Sequence, residues 1–140
     1  MMRGEQYPEG VDHLASALIR DGTFEQTKDP RYWLVHVREG TREALWLERV
    51  VSPRDAVDTE FVVVDAVDLP VRAKGDEFVY DCRLDENFEP EVVAIVRFDS
   101  VPYTRFSSHV LAAWRLERNT ERIETIPPDE ISCLDPAAGT

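Results

Sequence analysis

The chain has 140 residues and a net charge of −12, from 28 acidic and 16 basic side chains. Its length and its 43% hydrophobic content exclude a chain that is disordered throughout. A field of this sign repels phosphate backbones and anionic headgroups, so we expect neither nucleic acid nor a membrane as a partner. We predict one domain over residues 1–140.

The N-terminal segment, residues 9–20, is predicted to form an amphipathic helix. Pro8 precedes the segment and Gly22 follows it, as is typical of helix boundaries. Five apolar side chains recur within it at helical spacing: Val11, Leu14, Ala15, Leu18 and Ile19. We expect this helix to pack against a sheet formed by the remaining chain.

Residues 32–38 have the aromatic and β-branched bias of a strand, and Gly40 marks a turn after it. The returning segment, residues 42–51, is ambiguous because it consists largely of good helix formers. The short turn before it favours a hairpin, so we predict a second strand.

Further strands are expected over residues 60–69 and 92–98, where both faces are apolar as in central strands. Residues 77–84 alternate between apolar and mostly polar side chains, and residues 108–117 fit a strand better than a short helix. The segments 122–126 and 131–134 complete a mostly antiparallel sheet of about six or seven strands. The predicted class is therefore α+β, with the N-terminal helix packed on this sheet.

The two cysteines, Cys82 and Cys133, both lie in strand-like runs. Cys82 shares the apolar side of its run with Phe78, Tyr80 and Leu84, so an inert buried thiol is one interpretation. A disulfide between Cys82 and Cys133 is the other. A nucleophilic role is disfavoured, because the charged neighbours of Cys82 point to the opposite face of the strand.

Asp65 is the acidic residue whose position is least expected. It falls on the same face as Phe61, Val63, Val67 and Leu69. We therefore expect a partly buried carboxylate that has either a raised pKa or an arginine partner.

The segment after Pro102 carries Tyr103, Arg105 and Phe106. Exposed aromatic and arginine side chains are typical of interface anchors, so these three residues are candidate contacts for a partner protein. The alternative is that this loop folds onto its own core.

No phosphate-binding loop, dinucleotide fingerprint or catalytic motif is present in the sequence. His13, His36 and His109 have no ligand partner at the spacings typical of zinc sites. We therefore expect no cofactor, no metal ion and no catalytic residues.

These features favour a non-enzymatic binding or accessory module whose partner is a protein, of basic character on charge grounds, or a second copy of the chain. Two alternatives stand beside it. One is a small-molecule-binding or enzymatic domain with a pocket between helix and curved sheet. The other is a secreted or envelope domain closed by a disulfide between Cys82 and Cys133.

The start of the sequence lacks the apolar run of a signal peptide, so the expected location is the cytoplasm. If the chain is a trimmed precursor, the expected location becomes the periplasm or the cell exterior.

Overall fold

The computed structural model describes residues 2–3, 9–19, 31–53, 56–80, 82–97, 106–107 and 109–134. In these ranges the chain forms three antiparallel sheets and one 3-10 turn, Pro128–Glu130, with no α-helix. The predicted α+β class is therefore wrong, whereas the antiparallel pairing is confirmed. The chain divides into two compact units: Met1–Val71 with Arg118–Ile123 is unit 1, and Arg72–Glu117 with Glu124–Thr140 is unit 2. That they act as one domain stays a prediction.

Unit 1 contains a five-stranded sheet, called sheet 1, in the order β1-β5-β4-β3-β2. Its strands are β1 (Met2–Arg3), β2 (Val11–Leu18), β3 (Tyr32–Glu39), β4 (Arg42–Val50) and β5 (Glu60–Asp68). The strands β3 and β4 form the predicted hairpin, and they pair from Tyr32–Arg49 to Glu39–Arg42 without interruption. Gly40 makes the turn with a φ of +64°, a conformation that favours glycine.

The segment predicted to be a helix is strand β2, which pairs with β3 along its whole length. His13 lies opposite Val37 and Ala15 lies opposite His36, so Leu14 is an extra residue in a β-bulge. A bulge interrupts the two-residue alternation of a strand. The interrupted alternation resembles helical spacing, which is why the apolar pattern of this segment is misleading.

Unit 2 contains two four-stranded sheets, in the orders β12-β11-β9-β6 (sheet 2) and β10-β13-β7-β8 (sheet 3). The strands are β6 (Asp76–Val79), β7 (Cys82–Leu84), β8 (Asn87–Phe88), β9 (Val92–Arg97), β10 (Phe106–Ser107), β11 (Val110–Glu117), β12 (Arg122–Ile126) and β13 (Ile131–Leu134). The strand β12 begins in unit 1 and ends in unit 2. The alternating run around Cys82 is divided between β6 and β7, which belong to different sheets.

The core of unit 2 is an apolar cluster that includes both cysteines. Its buried members are Val79, Cys82, Val92, Ala94, Val96, Ala113, Ile131 and Cys133. Cys82 and Cys133 lie opposite each other on β7 and β13 and are joined by a disulfide. The bond therefore links two strands within the apolar interior of this unit.

Candidate functional site

The candidate site lies on one face of sheet 1. Side chains alternate along a strand, and residues paired across two strands share a face. The uninterrupted β3–β4 ladder therefore places six residues together: Trp33, Val35, Val37, Ala44, Trp46 and Glu48. We call this set the tryptophan face.

Glu48 is the unusual member of the tryptophan face. It is only 3% exposed, and its Oε2 atom receives no hydrogen bond from the described residues. Burial removes water from the carboxylate and raises the pKa of Glu48 from 4.5 to about 7. At neutral pH, a much larger fraction of Glu48 is therefore protonated than of an ordinary surface glutamate.

The neighbours of Glu48 are aromatic and aliphatic. Trp33 lies directly opposite on β3, and Val63 lies opposite on β5. Trp46 precedes Glu48 by two residues on β4 and so shares its face. Both indoles are half-buried. The side chain of Glu48 thus shares its face of the sheet with two indoles.

A cavity of about 300 Å³ opens at the turn end of the same sheet. Its lining residues are Val11, Val37, Glu39, Arg42, Ala44, Trp46, Ala66, Val67 and Asp68. Trp46 therefore belongs both to the wall of this cavity and to the surroundings of Glu48. At the rim, Arg42 donates a hydrogen bond to Asp68 at 2.6 Å, which leaves Glu39 as the additional negative charge.

On the opposite face of sheet 1, the stretch 118–123 is fastened by Glu121. Arg49 Nη1 donates to both carboxylate oxygens of Glu121, at 2.8 and 2.6 Å. The hydroxyl of Tyr32 donates to the same group at 3.0 Å. Burial and this hydrogen bond to a carboxylate raise the pKa of Tyr32 above its usual value. We call these contacts the Glu121 clamp. They link the segment 118–123 to the face of sheet 1 that is opposite to Glu48.

Asp65, the predicted buried carboxylate, lies on this clamped side, opposite Leu47. It is half-buried, and its Oδ2 accepts a hydrogen bond from the amide of Ile123 at 2.7 Å. Its Oδ1 accepts from the amide of Ala66 at 2.9 Å. Asp65 therefore binds backbone amides, and the structure does not bring it together with Glu48.

The predicted interface anchors fall largely outside the described residues. Tyr103 and Arg105 lie outside them, and for Phe106 only the backbone is described, as part of β10 opposite Leu134. Their role as partner contacts stays a prediction.

His13 and His36 lie on the paired strands β2 and β3 of unit 1, and His109 belongs to unit 2. His13 is exposed on β2, which corrects its predicted place on a helix, and His109 is exposed just before β11. His36 is buried and lies 2.6 Å from the carboxylate of Glu43. Within the described ranges, no group of three His, Cys, Asp or Glu side chains could hold a metal ion.

Sequence reasoning missed Glu48 as a site residue, although a signal was present. If residues 42–51 form a strand, alternation places Glu48 on the same side as Ala44 and Trp46. A charged residue in an apolar row is a candidate for a perturbed pKa. The ambiguity between helix and strand in this segment hid that row.

Comparison of the chain with protein-family models, with curated proteins and with solved structures finds no match. Among the described residues, no helix has the length and apolar character needed to cross a bilayer.

Proposed function

We propose that the protein is a non-enzymatic binding module that receives an extended segment of a basic partner protein along the outer edge of β2. The observation that carries this proposal is the uncharged stretch 15–18 at the end of sheet 1. Within the described part of the chain, no strand pairs with the outer side of β2. Its backbone therefore offers hydrogen-bonding groups for strand addition.

The two halves of β2 differ in how well they resist such pairing. The first half carries Asp12, which pairs with Arg38 at 3.5 Å, and the bulged residue Leu14. Charges and bulges are the devices by which proteins protect sheet edges. Residues 15–18 are Ala, Ser, Ala and Leu, and they pair regularly with β3. This second half is the part of the edge that favours addition of a strand.

Charge supports a basic partner over a second copy of the chain. The net charge of −12 attracts lysine- and arginine-rich segments and accelerates their association. Two copies would bring equal negative charges together. We therefore place a basic partner segment first and self-association second.

The proposal can be tested with a displayed library of short peptides enriched in Lys and Arg. Selected peptides should perturb the amide resonances of residues 15–18 and slow their hydrogen exchange. The substitution Ser16→Lys should abolish binding, because an edge lysine opposes strand addition and repels a basic segment. Thr125→Lys, on the edge strand β12 of sheet 2, is the matched control and should leave binding intact. Peptides that perturb other residues, or no enrichment at all, would overturn the proposal.

Binding of a small molecule is a second candidate function, and the cavity beside Trp46 favours it. A volume of about 300 Å³ lies at the lower end of the range typical of ligand pockets. The predicted pocket between helix and sheet has to be revised, since β2 takes the place of the helix. The residues that line this cavity belong to strands β2, β3, β4 and β5.

The disulfide supports a secreted or periplasmic location over the predicted cytoplasmic one, because such bonds persist mainly in oxidising compartments. Intact mass after alkylation without reductant tests this. A protein isolated from its native compartment should carry no alkyl group on Cys82 or Cys133. Alkylation of both cysteines would instead favour the predicted cytoplasmic location.

A further inference from the structure

Among the described residues, nothing compensates the burial of Glu48 at its Oε2 atom. Moving an ionised carboxylate out of water is unfavourable unless a cation or several hydrogen bonds replace the lost hydration. Glu48 is 3% exposed, and its Oε2 atom has no hydrogen-bond partner among the described residues. The missing complement is a positively charged donor.

The rings around Glu48 favour the same complement. Directly paired residues have Cβ atoms about 5 Å apart, which places Trp33 beside the Glu48 side chain. Trp46 is its neighbour on the same strand and face, about 7 Å along. The face of an indole ring attracts cations, most strongly where water is excluded. Two indoles and one carboxylate together resemble the environment in which proteins hold ammonium and guanidinium groups.

A cavity adjoins this position through Trp46. Trp46 lines the cavity, and the rim carries Glu39 and the paired Arg42 and Asp68, which sum to one negative charge. Such a rim raises the local concentration of cations over that of anions. A small cation in the cavity therefore lies against Trp46, the residue that the cavity shares with the surroundings of Glu48.

We propose that Glu48, Trp33 and Trp46 form a recognition site for one organic cation, an alkylammonium or guanidinium group, that enters through the cavity beside Trp46. The cation is either a free amine or the end of a lysine or arginine side chain. This site goes beyond strand addition at β2 and does not depend on it.

Binding of a cation at this site is linked to a proton. The residues that face Glu48 from β3 and β5 are Trp33 and Val63, so no charged group opposes it from either strand. Desolvation raises the pKa of Glu48 to about 7, and a bound cation would lower it again. At pH 6 the carboxyl group must therefore lose a proton when the cation binds, whereas at pH 8 it is already ionised.

The first experiment is a fluorescence titration of the Trp114→Phe variant, in which Trp33 and Trp46 are the only tryptophans, with excitation selective for tryptophan over tyrosine. The probes are n-butylammonium chloride and methylguanidinium chloride, with n-pentanol as the neutral analogue. We expect a saturable change with a Kd of about 1 mM for the cations, and binding of n-pentanol at least about tenfold weaker. Equal binding of n-pentanol, or no saturable change up to about 100 mM cation, would overturn the proposal.

The second experiment compares variants. Glu48→Gln should weaken cation binding at least about tenfold, because it keeps the shape and removes the charge. Glu124→Gln, an exposed residue of unit 2, makes the same change in net charge and should leave binding unchanged. Unchanged binding in Glu48→Gln contradicts the proposal.

Calorimetry on the natural chain keeps the test decisive if Glu48→Gln does not fold. In buffers of different ionisation enthalpy, n-butylammonium should release about one proton at pH 6 and almost none at pH 8. Equal proton release at both pH values would overturn the proposal.

A third experiment uses Nα-acetyl-lysine methylamide to distinguish the two sources of the cation. Binding as tight as that of n-butylammonium assigns a lysine side chain, and much weaker binding assigns a free amine.

Discussion

Unit 2 buries an apolar cluster that contains a disulfide, whereas unit 1 buries a carboxylate on the sheet face that also carries two tryptophans. In unit 2 the fully buried residues around Cys82 and Cys133 are aliphatic. In unit 1 the tryptophan face includes Glu48, which is 3% exposed and unpartnered among the described residues at Oε2. Unit 2 also buries Glu91, but the carboxylate of Glu91 accepts a hydrogen bond from Arg115 at 3.4 Å. The two interiors therefore differ at Glu48, whose burial departs from what stability alone favours.

The difference indicates where function is to be sought. An apolar core with a covalent link needs no explanation beyond folding. A buried charge without compensation persists when a ligand, a proton or a partner completes it. The tryptophan face and the adjoining edge strand β2 are therefore the parts of the molecule on which we base both proposals.

The largest expected effect is loss of the disulfide in unit 2. Cys82 and Cys133 are separated by 51 residues, and a cross-link over such a loop stabilises a protein by about 4 kcal/mol. The double variant Cys82→Ala and Cys133→Ala should lower the free energy of unfolding by this amount. Urea denaturation followed through Trp114, in a chain with phenylalanine at positions 33 and 46, measures it. If the variant and the non-reduced parent chain unfold at the same urea concentration, the disulfide contributes nothing to stability.

Replacement of Glu48 should stabilise the protein, whereas removal of the disulfide destabilises it. The folded-state pKa of about 7 lies above the ordinary 4.5, so the folded chain holds the proton more tightly than the unfolded chain. Stability is therefore highest below pH 4.5 and falls as the pH rises through 7. Glu48→Met should raise the free energy of unfolding by about 3 kcal/mol at pH 8 and by little at pH 5.

Urea denaturation at the two pH values checks this effect, with Glu124→Met as the control for an exposed glutamate. A gain of the same size at pH 5 and pH 8 would mean that packing, and not charge, limits stability at Glu48.

Disruption of the Glu121 clamp should have an intermediate effect on the free energy of unfolding. Glu121→Gln replaces charged acceptors for Arg49 and Tyr32 in a site that is about one-third exposed, so we expect a loss of about 1–2 kcal/mol. Tyr32→Phe removes only the hydroxyl bond and should lose about half as much. Denaturation followed through Trp33 and Trp46 measures both. Equal losses would show that Arg49 contributes nothing to the clamp.

The smallest effect is expected at Asp76 in unit 2. Arg97 Nε donates to Asp76 Oδ1 at 2.9 Å, and this hydrogen bond lowers the pKa of Asp76 below its ordinary 3.8. The contribution of the pair is therefore present above pH 3.8 and lost as the pH falls below it, opposite to the behaviour of Glu48. Asp76→Asn should be slightly less stable than the parent chain at pH 7, and the difference should vanish under acid conditions. A difference that persists at low pH would contradict this assignment.

Much of the strand content follows from sequence. The strands β3, β5, β9 and β11 lie where aromatic, β-branched or alternating residues predict them. The hairpin of β3 and β4 follows from the turn at Gly40, although β4 consists largely of helix formers. In β4, tertiary pairing overrides the weak helix propensity.

The features that sequence did not predict depend on pairing between distant residues. The bulge at Leu14 gave β2 a helix-like spacing, and nothing local indicates that β3 is its partner. The sequence offers a disulfide between Cys82 and Cys133 but does not decide between it and free thiols, because the pairing depends on the register of β7 against β13. The apolar row that contains Glu48 is visible only once residues 42–51 are assigned to a strand and not to a helix.

Both the contrast between the units and the cation site depend on Glu48 being a buried carboxylate whose Oε2 has no hydrogen-bond partner among the described residues. Titration of its side chain tests this. A ¹³C NMR titration of the glutamate side chains, with Glu48→Gln used to assign the resonance, gives the pKa. We expect one glutamate to titrate near pH 7 and its resonance to be absent from the variant spectrum. If the Glu48 carboxyl group instead titrates near its ordinary value of 4.5, it is solvated or paired, and the account of the tryptophan face is wrong.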